Sequence, residues 1–122
     1  NPSYKDVVGE VAKFLQERII ICEKFGIDKS RIILDPGFGF GKTYENNLKL
    51  FQSIDKLNSL SKPLLIGVSR KSMVRRIVGD GESDIIYGSA IMAAISILRG
   101  ARIVRVHDIK ETKSALKILQ LK

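Results

Sequence analysis

Apolar residues recur at three- and four-residue steps through Val7, Val8, Val11, Phe14, Leu15, Ile19 and Cys22, which predicts an amphipathic helix from about Lys5 to Phe25. Gly26 is its natural stop. The β-branched pair Ile32-Ile33 predicts a strand that ends at Asp35, where Pro36 and Gly37 interrupt it. Thr43 suits the cap of a second helix, with Glu45 in its first turn and Leu48, Leu50, Phe51 and Ile54 on its apolar side. A second strand is expected over Pro63–Val68. A short helix carrying Met73, Val74 and Ile77 follows, then a loop at Gly79-Asp80-Gly81. An Ala- and Ile-rich pattern predicts a helix over Ser83–Arg99, closed by Gly100. The third strand is expected over 102–107. Asp108, with Glu111 three residues on, imitates a capping box for a last helix holding Ala115, Leu116, Ile118 and Leu119.

Strands that alternate with helices imply parallel pairing and right-handed crossovers. Each strand is largely apolar on both faces, as expected when helices cover the sheet. Three parallel strands with about five helices make an uncomfortable fold by themselves. A complete (β/α)₈ barrel has eight strands and about 250 residues. The chain also opens on a helix with no strand before it. The expectation is therefore the carboxyl-terminal portion of a larger barrel, with residues 1–122 forming one partial domain whose amino-terminal half is absent.

Composition narrows the possibilities. The chain has 122 residues, 44% hydrophobic and 28% charged, which is ordinary for a soluble domain. No apolar run reaches membrane-span length, and the start does not read as a signal peptide, so a cytoplasmic location is expected. Cys22 is the one cysteine and fits an inert thiol on the apolar side of a helix. The net charge is +8, from 21 Lys+Arg against 13 Asp+Glu. Most of that excess is scattered lysine, and the dense group is Ser69-Arg70-Lys71-Ser72 with Arg75-Arg76. Zinc-ligand spacing and recognisable nucleic-acid modules are missing, which favours one local anion site over a nucleic-acid face.

Residues 31–42, Arg-Ile-Ile-Leu-Asp-Pro-Gly-Phe-Gly-Phe-Gly-Lys, hold the densest chemistry. Alternating glycines allow close backbone approach, Phe38 and Phe40 offer flat faces, and Asp35 and Lys42 bring opposite charges. That set suits a flat, polar, partly anionic ligand. A nucleotide P-loop is excluded by spacing, because Gly37 and Gly41 are separated by three residues rather than four. In parallel units the carboxyl ends of all strands share one side. Asp35 with its loop, Ser69-Arg70-Lys71-Ser72, and Arg105 with His107 should therefore converge there. Arg105 and His107 are two apart and share a side of their strand. An arginine in the middle of Ile-Val-Arg-Val calls for a buried anion or carboxylate partner. Ser72 stands at a helix start, where an anion is favoured.

Asp35-Pro-Gly-Phe-Gly-Phe-Gly-Lys42, Gly67-Val-Ser-Arg-Lys-Ser72, Gly88-Ser-Ala and Arg105-Val-His-Asp108 resemble, in order and spacing, the carboxyl-terminal motifs of the dihydropteroate synthase family. That family is a pterin-binding (β/α)₈ barrel and a sulfonamide target. The resemblance implies a transferase of folate biosynthesis, joining p-aminobenzoate to 6-hydroxymethyl-7,8-dihydropterin diphosphate and releasing pyrophosphate. It assigns catalytic roles to Asp35, Lys71 and Arg105, and pterin contacts to Asp35, Gly67, Lys71 and Arg105. Phe40, Arg70, Lys71 and Ser72 would hold p-aminobenzoate, and Arg105 and His107 the diphosphate. It further implies Mg2+, whose family ligand lies in the missing half, so this chain alone should be inactive or nearly so. A homodimer through Ser83–Arg99 and Glu111–Leu121 is also implied. Two other readings stay open: a non-catalytic module binding an anion or nucleic acid, and another pterin-binding barrel such as a folate-dependent methyltransferase.

Overall fold

The computed structural model describes residues 3–121; Asn1, Pro2 and Lys122, the ends of the expected domain, lie outside the described residues. Helix α1 runs over Val7–Lys24. Asp6 caps it by accepting from Gly9 N–H at 3.1 Å, while Glu10 reaches back to the amides of Lys5 and Asp6. Val7, Val11, Leu15 and Ile19 are the buried stripe of α1. Phe14, expected on the apolar side, is exposed, because one position off a four-residue repeat falls on the flank. Thr43 caps α2 (Tyr44–Gln52), accepting from Asn46 N–H. The tight Ser53 N–H to Leu50 carbonyl bond ends α2, so Ile54 belongs to a separate buried turn, α3 (Ile54–Leu57), rather than to that helix. Helices α4 (Ser72–Val78), α5 (Glu82–Leu98) and α6 (Ile109–Leu119) follow the expected order. Among the described residues there are thus six α-helices rather than about five.

Strand β1 (Leu65–Ile66) pairs in parallel with β2 (Ile103–Val104), in the register Leu65–Ile103 and Ile66–Val104. The strand expected to end at Asp35 shrinks to one parallel bridge, Leu34 to Leu64. Leu34 N–H donates to Pro63 at 2.9 Å and its carbonyl accepts from Leu65 N–H at 2.8 Å. Two prolines explain why the ladder goes no further. The next rungs would need N–H donors at positions 63 and 36, and proline has none. All three segments nevertheless run parallel, side by side in chain order.

The side chains alternate strictly across this sheet. Leu34, Leu64, Ile66 and Val68 are buried against Phe38, Leu50, Ile54, Leu57 and Val74 from the loop and helices. The opposite row does not share that cover: Ile33 is 53% and Ile103 37% exposed. Helices were expected on both faces, but among the described residues they cover one. A sheet with helices outside and an uncovered apolar row inside is a sector of a (β/α)₈ barrel. No single helix among the described residues is long and apolar enough to cross a membrane.

Candidate functional site

The carboxyl ends of the three parallel segments do meet. Asp35 follows the bridge at Leu34, and Pro36 turns the chain into the glycine loop, where Gly37, Gly39 and Gly41 all take positive φ. Asp35 accepts from Gly37 N–H at 2.9 Å through Oδ1 and from Arg105 Nη1 at 2.9 Å through Oδ2. The arginine therefore has its carboxylate partner, although the pair is half-exposed rather than buried. Gly67 makes that reach possible. A β-carbon at position 67 would stand 2.7 Å from Cζ of Arg105, so the guanidinium crosses the strand only where no side chain projects.

Lys71 closes the group from the second segment. Its Nζ donates to the Phe38 carbonyl at 2.7 Å and lies 5.0 Å from the centre of the Phe40 ring. Burial, reinforced by the neighbouring Arg105 charge, lowers its pKa from the ordinary lysine value. Lys42, from the end of the loop, donates to the Gly37 carbonyl, and burial lowers its pKa too. The two phenylalanines part company. Phe38, expected to face a ligand, is 1% exposed and packs edge-on against Phe51 at 6.3 Å. Phe40 is 69% exposed and presents its ring. Loop residues two apart thus divide between core and site.

Two hollows flank Phe40. One of about 380 Å³ is lined by Asp35, Pro36, Gly37, Phe40 and Lys42, with Tyr4 and Val11, Phe14 and Leu15 of α1 opposite. The other, of about 310 Å³, is lined by Phe38, Gly39, Phe40, Lys71 and Ser72. Ser72 is the exposed first residue of α4, and its neighbour Lys71 takes the cap position. His107 is anchored by Ser69, whose Oγ accepts the His107 N–H at 3.2 Å and lies 2.9 Å from its Nδ1.

Arg70 sits at φ 58, a left-handed conformation that costs a non-glycine residue about 1–3 kcal/mol. Its guanidinium holds Asp108 through Nε and Nη2, at 3.1 and 2.8 Å, and Glu82 through Nη1 at 2.9 Å. That pairing holds the Asp108 carboxyl below the usual carboxylate range. It also corrects the expected capping box. Asp108 precedes α6, but its carboxylate is taken by Arg70 and makes no side-chain bond to the helix.

Sequence reasoning passed over several supports. Asn47 is buried and orients the loop, accepting from Gly39 N–H at 2.9 Å. Its signal was a polar residue three and four positions before the core pair Leu50 and Phe51. Ser69 and Ser89 stand in motifs that were singled out, without these bonding roles, and Glu82 carried no comparable sign. Among the described residues, no three His, Cys, Asp or Glu side chains come together. Asp35, Asp108 and Glu82 are each paired with a guanidinium, so they do not supply the oxygen shell that magnesium requires.

Comparison with known proteins agrees with this architecture. A family model described as pterin binding enzyme matches residues 1–107. Dihydropteroate synthase of Neisseria meningitidis serogroup C is 49% identical over 96% of this chain, which spans 42% of that protein. The Escherichia coli K12 enzyme is 42% identical over 98% of the chain, again spanning 42% of its length. Among solved structures, dihydropteroate synthase from Xanthomonas albilineans in complex with 7,8-dihydropteroate superposes with a TM-score of 0.94 at 41% identity. It covers 98% of this chain, and the chain covers 47% of it. A Yersinia pestis dihydropteroate synthase with a sulfonamide drug complex gives 0.92 at 40% identity, over 98% of this chain and 44% of that one. The chain spans less than half the length of these relatives, and it belongs to the pterin-binding enzyme family.

Proposed function

We propose that this chain is the carboxyl-terminal part of a dihydropteroate synthase, a cytoplasmic transferase of folate biosynthesis. It would condense p-aminobenzoate with 6-hydroxymethyl-7,8-dihydropterin diphosphate to give dihydropteroate and pyrophosphate. The observation that carries the reading is the meeting of Asp35, Arg105, Lys71, Phe40 and Ser72 at one end of three parallel segments. The relative from Xanthomonas albilineans has been solved with 7,8-dihydropteroate and with 4-aminobenzoic acid, which supports the same two ligands here.

In the reaction, the bond between the pterin methylene carbon and the diphosphate oxygen breaks, and its electron pair leaves with the oxygen. The amine nitrogen of p-aminobenzoate bonds to that carbon and loses a proton to solvent. Asp35, held in place by Gly37 N–H, would accept from the pterin and stabilise positive charge on it. Arg105, lying over Gly67, would border the pterin and, with His107, meet negative charge growing on the diphosphate. The Lys71 ammonium and the Phe40 ring would line the amine's approach, with Ser72 next to the carboxylate at the start of α4. A sulfonamide would compete for that hollow. Magnesium supports the departure of a diphosphate, and its ligand is expected in the amino-terminal half. The exposed Tyr87, Ile91, Ile109 and Ile118 on α5 and α6 support a homodimer through those helices.

The test is pyrophosphate release from dihydropterin diphosphate with magnesium and p-aminobenzoate, by this chain with and without an added amino-terminal half. Release on complementation alone is expected. Release by the chain alone would overturn the need for the other half, and a folded complex silent in both arms would overturn the assignment.

A further inference from the structure

Within Ser69–Ser72, Lys71 and Ser72 line the hollow beside Phe40, whereas Arg70 does not. Each nitrogen of Arg70, and its carbonyl oxygen, has a partner outside that hollow. Its N–H donates to Ser89 Oγ at 2.9 Å, and its carbonyl accepts from Arg75 Nε at 3.1 Å. The guanidinium grips Asp108 with two parallel bonds and Glu82 with a third. We propose that Arg70 is a positioning residue: it latches the loop after β1 to the loop after β2, and so holds the left-handed turn that aims Lys71 and Ser72.

The inference rests on the synthase reading for its substrate but on geometry for the latch. A strained φ of 58 persists only where surrounding contacts over-determine it, and five hydrogen bonds to three elements do so here. The alternative, that Arg70 grips the carboxylate of p-aminobenzoate with its paired Nε and Nη2 donors, requires exchanging one carboxylate for another. The exchange would strand Asp108, whose side chain is 13% exposed, without its partner. Asp108 also forgoes capping α6 to meet Arg70. Because Asp108 adjoins His107, and Ser69 adjoins Arg70 and bonds His107, the latch fixes His107 relative to Lys71 and Ser72.

The experiment uses the complete protein that carries this chain. Arg70→Ala, Asp108→Asn and the double variant are assayed with p-aminobenzoate and with 4-methylaniline, an amine without the carboxylate. A latch predicts that each single change lowers kcat by about 10- to 100-fold with both amines, and that Arg70→Ala and Asp108→Asn act alike on each. The double variant should be no worse than either single one. A rise confined to KM for p-aminobenzoate in Arg70→Ala, with Asp108→Asn unaffected, would overturn the latch, as would additive losses. If the unaltered protein releases no pyrophosphate, the synthase reading fails and the latch is judged separately by amide exchange. Asp108→Asn should then speed exchange of the Arg70 N–H by about tenfold or more. An unchanged rate would sink the proposal.

Discussion

A methyl group at position 67 would lie 2.7 Å from Cζ and 3.1 Å from Nε of Arg105, so Gly67→Ala must push the guanidinium off Asp35. The displaced atoms are the end of a flexible, half-exposed side chain, and the ion pair they leave is worth less than about 1 kcal/mol. The thermal midpoint should hardly move. Turnover of the complete barrel should fall about 100-fold, because the group proposed to meet the leaving diphosphate is misplaced. Unchanged kcat would show that the overlay of Arg105 on Gly67 is not used. Single residues were legible where chemistry and position coincided, as at Asp35 and Arg105. Phe38 and Phe40 show where this stops. They are identical in type and two apart, and their fates are decided by Phe51, a contact that periodicity in a loop does not encode.

Elements were legible from their ends. Thr43 caps α2, Gly26 and Gly100 follow α1 and α5 closely, and the five expected helices sit where the apolar spacing put them, α3 being the one it did not separate. The first strand was overstated because β-branched residues were weighed and the missing donors of its two neighbouring prolines were not. This yields a direct check. Pro63→Val restores an N–H that faces the Ile32 carbonyl in the existing register. A new slowly exchanging amide at position 63 is expected. Stability should shift by less than about 1 kcal/mol, since one bond gained is offset by a freer unfolded chain. Rapid exchange there would mean that something other than proline ends the ladder. Asp108 failed as a cap for a different reason: its partner Arg70 lies 38 residues away, and local spacing carries no trace of it.

At the level of the whole molecule, the decisive feature is the exposed pair Ile33 and Ile103, in one row with the half-buried Leu65. It lies on the face of the sheet opposite the helices, beside Gly67 and the Asp35–Arg105 pair. The rest of a barrel would pack on this row, and burying apolar area is the main drive for such packing. Ile103→Ala should therefore weaken association with an added amino-terminal half about tenfold or more, measured by titration calorimetry. Unaltered affinity would mean that the halves meet elsewhere. Because the surface that receives the other half is also the floor of the ligand site, assembly and ligand binding are thermodynamically linked. A pterin that needs both halves must tighten their union by the factor by which their union tightens its own binding. On the proposed reading, the substrate would be part of what holds the two halves together.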